Sequence, residues 1–137
     1  MFNNKLIDGL DNYPLIQPVQ SFVDNRGSIV NLADGEIGDI AVITSEAGAI
    51  RASHFHNKDW HICHLTQGSL IYFWKDLSDL STKKIVISPG MSVITPPLVA
   101  HKFEFIEKST LIVISKFSRI NSNYDKDTNK LDSSTFN

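Results

Sequence analysis

The sequence predicts an all-β fold. Three observations carry it. Short β-rich runs recur from about residue 15 to about residue 117, turn residues punctuate them, and no stretch of that length carries an apolar stripe at helical spacing. Ten short strands at such spacing suit a barrel or a two-sheet jelly roll, in which an antiparallel chain covers most of its own edges.

Taken in order, the runs are VQSFV (19–23), GSIVNLA (27–33), DIAVITS (39–45), AIRASHFH (49–56) and WHICHLTQ (60–67), then SLIYFWK (69–75), KKIVIS (83–88), SVITP (92–96), HKFEFIE (101–107) and STLIVISKF (109–117). Val, Ile, Phe, Tyr and Trp dominate them, the residues that suit a pleated, half-buried surface. Gly27, Gly35, Gly48, Gly68 and the pair Pro89-Gly90 break the runs where the chain must turn. From Ser118 onward the sequence turns polar, which predicts an irregular C-terminal tail (118–137) that frays near Leu131. A chain of 137 residues supports one core of ordinary size, so residues 1–137 are expected to form a single domain with its core at about 15–117.

Composition excludes several functions. The formal net charge of −2 gives no basic field to draw nucleic acid or anionic lipid. The longest purely aliphatic run, Leu111–Ile114, is far too short to cross a bilayer, and the opening MFNNKLIDGL has no export-signal pattern. The lone Cys63 cannot form an internal disulfide, which suits a reducing compartment. A cytoplasmic protein without nucleic-acid or membrane partners is expected.

Chemistry concentrates at HFHNKDWHICH (54–64), which holds four of the five histidines. Side chains alternate along a strand, so His54 and His56 project together. On the next strand His61, Cys63 and Leu65 share one face while Ile62 and His64 take the other. Pairing of the two strands would bring His61 to His54 and His56, and exclude His64. His101 opens a later strand, with Phe103 and Phe105 on its face as an apolar wall. Four imidazoles at His54, His56, His61 and His101 suit a divalent transition metal such as Zn, Ni or Fe, whereas Mg or Ca would want oxygen ligands. Cys63 reads as a small core residue, and Lys58 and Asp59 as solvated turn charges.

The same residues resemble the two motifs of the cupin superfamily. Gly48, AIRAS, His54-Phe55-His56, NKDW, His61, ICHLTQ and Gly68 keep the spacing of the first, with His61 where the family usually has glutamate. Gly90, MSVIT, Pro96-Pro97-Leu98, VA and His101 keep that of the second, with Leu98 in place of its glycine and Phe105 in place of a common asparagine. Within cupins, residues 19–130 resemble the sugar-nucleotide branch: dTDP-4-keto-6-deoxyhexose 3,5-epimerases, 3,4-ketoisomerases and the cupin domain of capsule epimerases. Asp24-Asn25-Arg26-Gly27, Arg51-Ala52-Ser53-His54-Phe55-His56 and Tyr124-Asp125-Lys126-Asp127-Thr128 carry this likeness, with Ala52 where a glycine is familiar.

The resemblance implies a cupin jelly-roll barrel, a homodimer, and proton abstraction beside a ketone of a nucleotide-linked sugar in surface polysaccharide biosynthesis. In it His54 is the base, Arg51 binds or polarises the substrate, and no organic cofactor takes part. Arg51 lies three residues before His54, so a twist or bulge is needed to bring both to one face. Phe103 and Phe105 would contact substrate, and Tyr72 is a candidate acid that also fits a core position. A metal-bound His54 cannot also abstract a proton, so the base and four-ligand readings compete for one nitrogen. A metal-dependent cupin dioxygenase and a non-catalytic sugar-binding cupin are the alternatives.

Overall fold

The computed structural model describes residues 14–18, 20–120 and 122–137. Val19, the first residue of the expected VQSFV strand, lies outside them, as does the opening segment. The described strands are β1 (Leu15–Ile16), β2 (Gln20–Asp24), β3 (Gly27–Asn31), β4 (Asp39–Ser45), β5 (Ile50–His56), β6 (His61–Gln67), β7 (Leu70–Asp76), β8 (Lys83–Ile87), β9 (Ser92–Thr95), β10 (Val99–Phe105), β11 (Ser109–Ser115) and β12 (Thr128–Lys130). Each of the ten expected runs overlaps one of them.

Two five-stranded antiparallel sheets form the barrel, one in the order β1-β9-β6-β11-β4 and the other in the order β12-β5-β10-β7-β8. The β2–β3 hairpin stands apart as a two-stranded ribbon. The two large sheets meet over a core built by alternation. β6 contributes Cys63 and Leu65, β7 Leu70, Tyr72 and Trp74, β10 Phe103 and Phe105, and β11 Leu111 and Val113. Each fully buried aliphatic or aromatic side chain here stabilises the fold by about 1.5–3 kcal/mol relative to exposure. The opposite faces of β6 and β11 are not bare: Ile62 and Ile114 join Trp60 in a second buried cluster, covered by Ile16, Leu32 and Ala33.

The tail is polar as expected but more ordered than its composition suggests. It forms a helix, α1 (Ser122–Asp127), then β12, then a 3₁₀ turn at Ser133–Phe136. β12 pairs with β5, setting Thr128 against His56, Asn129 against Phe55 and Lys130 against His54. Rather than fraying at Leu131, the chain stays attached there, the Leu131 amide donating to the Ser53 carbonyl at 2.8 Å. Phe136 is buried, and the Lys102 ammonium on the outer face of β10 lies 5.3 Å from its ring.

Candidate active site

β5 and β10 pair side by side, but their register slips by one residue: His101 faces His54, while Lys102 faces Ala52 and Phe103 faces Arg51. Ser53 is the extra residue of this bulge. Ala52 (φ 68°) and Ser53 (φ 59°) both adopt left-handed backbone, which breaks the strict alternation of the strand. The twist that the Arg51–His54 spacing requires is therefore present, and Arg51, Ala52 and His54 line one cavity of about 150 Å³ with His61, Cys63, His101 and Phe103.

The imidazoles converge at this cavity, His54, His61 and His101 lining it and His56 buried behind them. Ring centroids lie 4.6 Å apart for His54 and His56, 4.8 Å for His54 and His101, and 4.6 Å for His56 and His61. His54, His56 and His101 each offer one ligand atom within 4.8 Å of the others, and a second such group joins His56, Asp59 and His61. His61 thus belongs with Asp59 rather than with His54 and His101. Its Nε2 lies 2.9 Å from Asp59 Oδ2.

Asp59 is where the turn differs most from expectation. Far from being a solvated charge, it is wholly buried, and its Oδ1 accepts from the amides of Lys116 at 3.1 Å and Phe117 at 3.2 Å. Burial pushes this carboxyl up, but the hydrogen bond and charge of His61 and the Phe117 amide hold it below the usual carboxylate range on balance. Asp127 in turn accepts from the amides of Lys58 and Asp59, so the tail fixes the turn that carries the carboxylate.

Nitrogen assignments follow from hydrogen bonding. His101 Nδ1 lies 3.0 Å from the Val99 carbonyl, which can only accept, so Nδ1 carries the proton. Thr128 Oγ1 donates its one proton to the Tyr124 carbonyl at 2.7 Å and lies 3.3 Å from His56 Nδ1. His56 Nε2 is buried with no hydrogen-bond partner among the described residues. Burial first, and the neighbouring His56 and His61 next, push His54 down to about 3. Burial, then His61, pushes His56 down to about 4, and burial, then His54, lowers His101 well below its ordinary value. At neutral pH the three rings are uncharged, as a cation's ligands must be.

The tail supplies two more cavity residues, Arg119 and Tyr124. Tyr124 stacks on His61 at 6.1 Å between centroids and 9° between planes, and Arg119 Nη1 donates to its phenol oxygen at 3.3 Å. Burial chiefly holds the Tyr124 phenol above its ordinary value. Arg51, by contrast, is braced from outside, Nε donating to Ser45 Oγ at 2.7 Å and Nη2 to the Thr44 carbonyl at 3.0 Å.

Other expected positions sit outside this constellation. Tyr72 is fully buried in the core, stacked on Trp74 and tilted against Phe103, and does not line the cavity. Phe103 does; Phe105 packs behind it at 6.5 Å. His64 lies on the other face of β6, its Nδ1 2.7 Å from Ser92 Oγ. Cys63 is buried, and its thiol is pushed up to about 12, keeping it protonated.

No family model and no curated protein matches this sequence. Solved structures do match its fold. The QdtA 3,4-ketoisomerase from Thermoanaerobacterium thermosaccharolyticum, solved with TDP, superposes with a TM-score of 0.68 at 20% identity, covering 90% of this chain and 92% of that one. The dTDP-4-dehydrorhamnose 3,5-epimerase from Sulfolobus tokodaii gives 0.70 at 18% identity, covering 90% and 78%. The chain has the cupin fold of these sugar-nucleotide enzymes. A capsular polysaccharide assembling protein, CapF from Staphylococcus aureus, gives 0.65 at 19% identity; the match covers 94% of this chain and 41% of CapF.

Ala52 and Leu98, which stand where the motifs that this sequence resembles have glycine, both adopt backbone that favours glycine. Their φ angles are 68° and 64°, a conformation that disfavours a Cβ by about 1–2 kcal/mol. Leu98 also donates its amide to the His56 carbonyl at 2.7 Å, so the turn between β9 and β10 is tied to the strand that carries the histidine pair.

Proposed function

We propose that the protein is an isomerase-type enzyme acting on a nucleotide-linked keto-sugar of surface-polysaccharide biosynthesis, with a divalent transition metal (zinc, nickel or iron) held by His54, His56 and His101. The observation that carries this reading is the meeting of two sets of groups at one cavity, which His54, His61, His101 and Tyr124 line and behind which His56 and Asp59 are buried. Three neutral imidazoles form one set, including the buried Nε2 of His56, which has no hydrogen-bond partner among the described residues. A histidine–carboxylate pair and a tyrosine, His61, Asp59 and Tyr124, form the other. The competition for His54 is thereby relieved, because the base is assigned to His61.

A bound metal would supply Lewis-acid polarisation of the substrate ketone. The chain's own groups account for the proton transfers. Asp59 accepts the His61 Nε2 proton, so Nδ1 is the basic nitrogen left for the carbon-bound hydrogen beside the ketone. The resulting imidazolium is stabilised by the buried carboxylate. Tyr124, kept protonated by burial and bonded through its oxygen to Arg119, donates to the oxygen on which charge accumulates. His61 and Tyr124 stack on each other, which suits proton movement between neighbouring atoms on one face of the sugar. Inversion at carbon needs donors on both faces, so the geometry favours ketoisomerisation over epimerisation. Arg51 and Arg119 offer guanidinium groups for an anionic substrate such as a diphosphate.

The test uses protein purified without a nickel column, analysed for metal and incubated in D₂O with TDP-4-keto-6-deoxyglucose, the compound with which a histidine-to-asparagine mutant of QdtA was solved. Deuterium should enter at carbon next to the ketone, and removal of the metal should slow it. Exchange at full rate after complete metal removal would overturn the metal assignment, and absence of exchange the enzymatic one. A three-imidazole set also suits iron and dioxygen, so oxygen uptake with a sugar substrate would favour the dioxygenase reading.

A homodimer is part of the same proposal. The β2–β3 hairpin exposes Phe22, Val23 and Ile29, and the edge strand β4 exposes Ile40 and Val42. An isolated two-stranded ribbon is marginal in water, which supports its packing on a second copy.

A further inference from the structure

Resting on the metal reading above, we infer that Thr128, on the short C-terminal strand, is a positioning residue that fixes the tautomer of His56 and so turns its Nε2 lone pair toward the cation. Nothing about a threonine after a six-residue helix announces such a function. The number of protons available is what assigns it.

A threonine hydroxyl has one hydrogen to donate. That hydrogen is committed to the Tyr124 carbonyl, four residues back, at 2.7 Å, the back-bond that a threonine makes at the end of a helix. Toward His56 Nδ1, at 3.3 Å, the oxygen can therefore only accept. A neutral imidazole carries one hydrogen, so accepting it at Nδ1 strips Nε2 of any proton. This bare nitrogen is the buried atom that no described protein group satisfies. Leaving it so is costly unless something supplies positive charge. His101 uses the same device with a backbone oxygen, its Nδ1 donating to the Val99 carbonyl. On His56 the second partner comes from the tail.

The β12–β5 pairing sets Thr128 opposite His56, and Asn57 donates its amide to the Asp127 carbonyl. Docking of the tail and orientation of the ligand are then one event. Outer partners of metal-bound histidines typically change metal affinity by about 10- to 100-fold when removed. Linkage requires the converse: whatever factor the docked tail adds to metal affinity, the metal returns to tail docking.

The experiment compares the full chain with Thr128→Val, which removes the acceptor and keeps the shape, and with Thr128→Ser, which keeps the hydroxyl. Nitrogen-15 NMR of the metal-free proteins reads the His56 tautomer, and cobalt(II) titration against a competing chelator reads affinity. The expected result is a proton on Nδ1 in wild type and in Thr128→Ser, loss of that preference in Thr128→Val, and cobalt binding weakened about 10- to 100-fold in the valine variant alone. Amides of 128–130 should also exchange more slowly with cobalt bound. An Nε2 proton in wild type, or equal cobalt affinity in Thr128→Val, overturns the inference while leaving the metal site standing. Wild-type protein that takes up no cobalt overturns the metal reading and the positioning role together.

Discussion

Replacing Asp59 with asparagine should slow proton abstraction by about 10⁴-fold while leaving the fold in place. The carboxylate accepts three hydrogen bonds, from His61 Nε2 at 2.9 Å and from the Lys116 and Phe117 amides at 3.1 and 3.2 Å. An asparagine can keep the two amide bonds only by presenting its oxygen to them. The reverse orientation leaves two part-buried amides facing an NH₂ group, at up to about 1–3 kcal/mol each. Its NH₂ must then point at His61 Nε2, which has to become the acceptor, and the ring proton moves to Nδ1. The base loses its lone pair through a tautomer change alone. In catalytic triads a change of this kind lowers kcat by about 10⁴-fold, or roughly 5 kcal/mol of barrier. Deuterium wash-in at the carbon beside the ketone, followed by mass spectrometry, measures it. Thermal unfolding checks that the variant is intact. An Asp59→Asn protein that is folded, loaded with metal and within tenfold of wild type would refute the assignment of His61 as base.

Three further outcomes follow from the same structure. Ala52→Gly and Leu98→Gly should each stabilise the fold by about 1 kcal/mol, since both positions carry left-handed backbone; urea midpoints that fall instead would mean that side-chain contacts outweigh the strain. Acid should destabilise the metal-free protein early. His54 and His56 are pushed from 6.5 down to about 3 and about 4, so below pH 6.5 the unfolded chain binds protons that the folded one refuses, and stability present above pH 6.5 is lost toward pH 4 at roughly 1 kcal/mol per pH unit for each ring. Equal urea midpoints at pH 7 and pH 5 would contradict this. Finally, Phe22→Glu with Ile29→Glu should shift the protein to monomer in light scattering, and an unchanged mass would argue against the hairpin as the dimer contact.

The barrel was legible because alternation reports directly on which face of a strand is buried. On β6 the pattern separated His61, Cys63 and Leu65 from Ile62 and His64, and on β10 it placed His101 and Phe103 together; both assignments match the cavity. The environment of Asp59 was not legible. Its burial depends on amides at 116 and 117 and on Asp127, all more than fifty residues away in sequence, and a charged residue in NKD reads locally as a turn. The order of the tail escaped for a related reason. Six residues of helix are too few to show a period, and this one is held by hydrogen bonds and by the docking of β12 rather than by an apolar stripe. Tyr124, Asp127 and Thr128 did stand out as a motif, but only their spatial meeting with His56, His61 and the 57–59 turn supports the functions proposed for them. The Arg51–His54 spacing carried a more useful signal, because regular alternation could not satisfy it and a bulge could.

The location of Arg119, Tyr124, Asp127 and Thr128 after β11 has a consequence for biosynthesis. Translation delivers every strand of the two large sheets except β12 before it delivers these four residues, so hydrophobic collapse can run ahead while the cleft still lacks one wall. Competence for chemistry would then arrive in a late zippering step, after the nascent polypeptide has already acquired most of its stability.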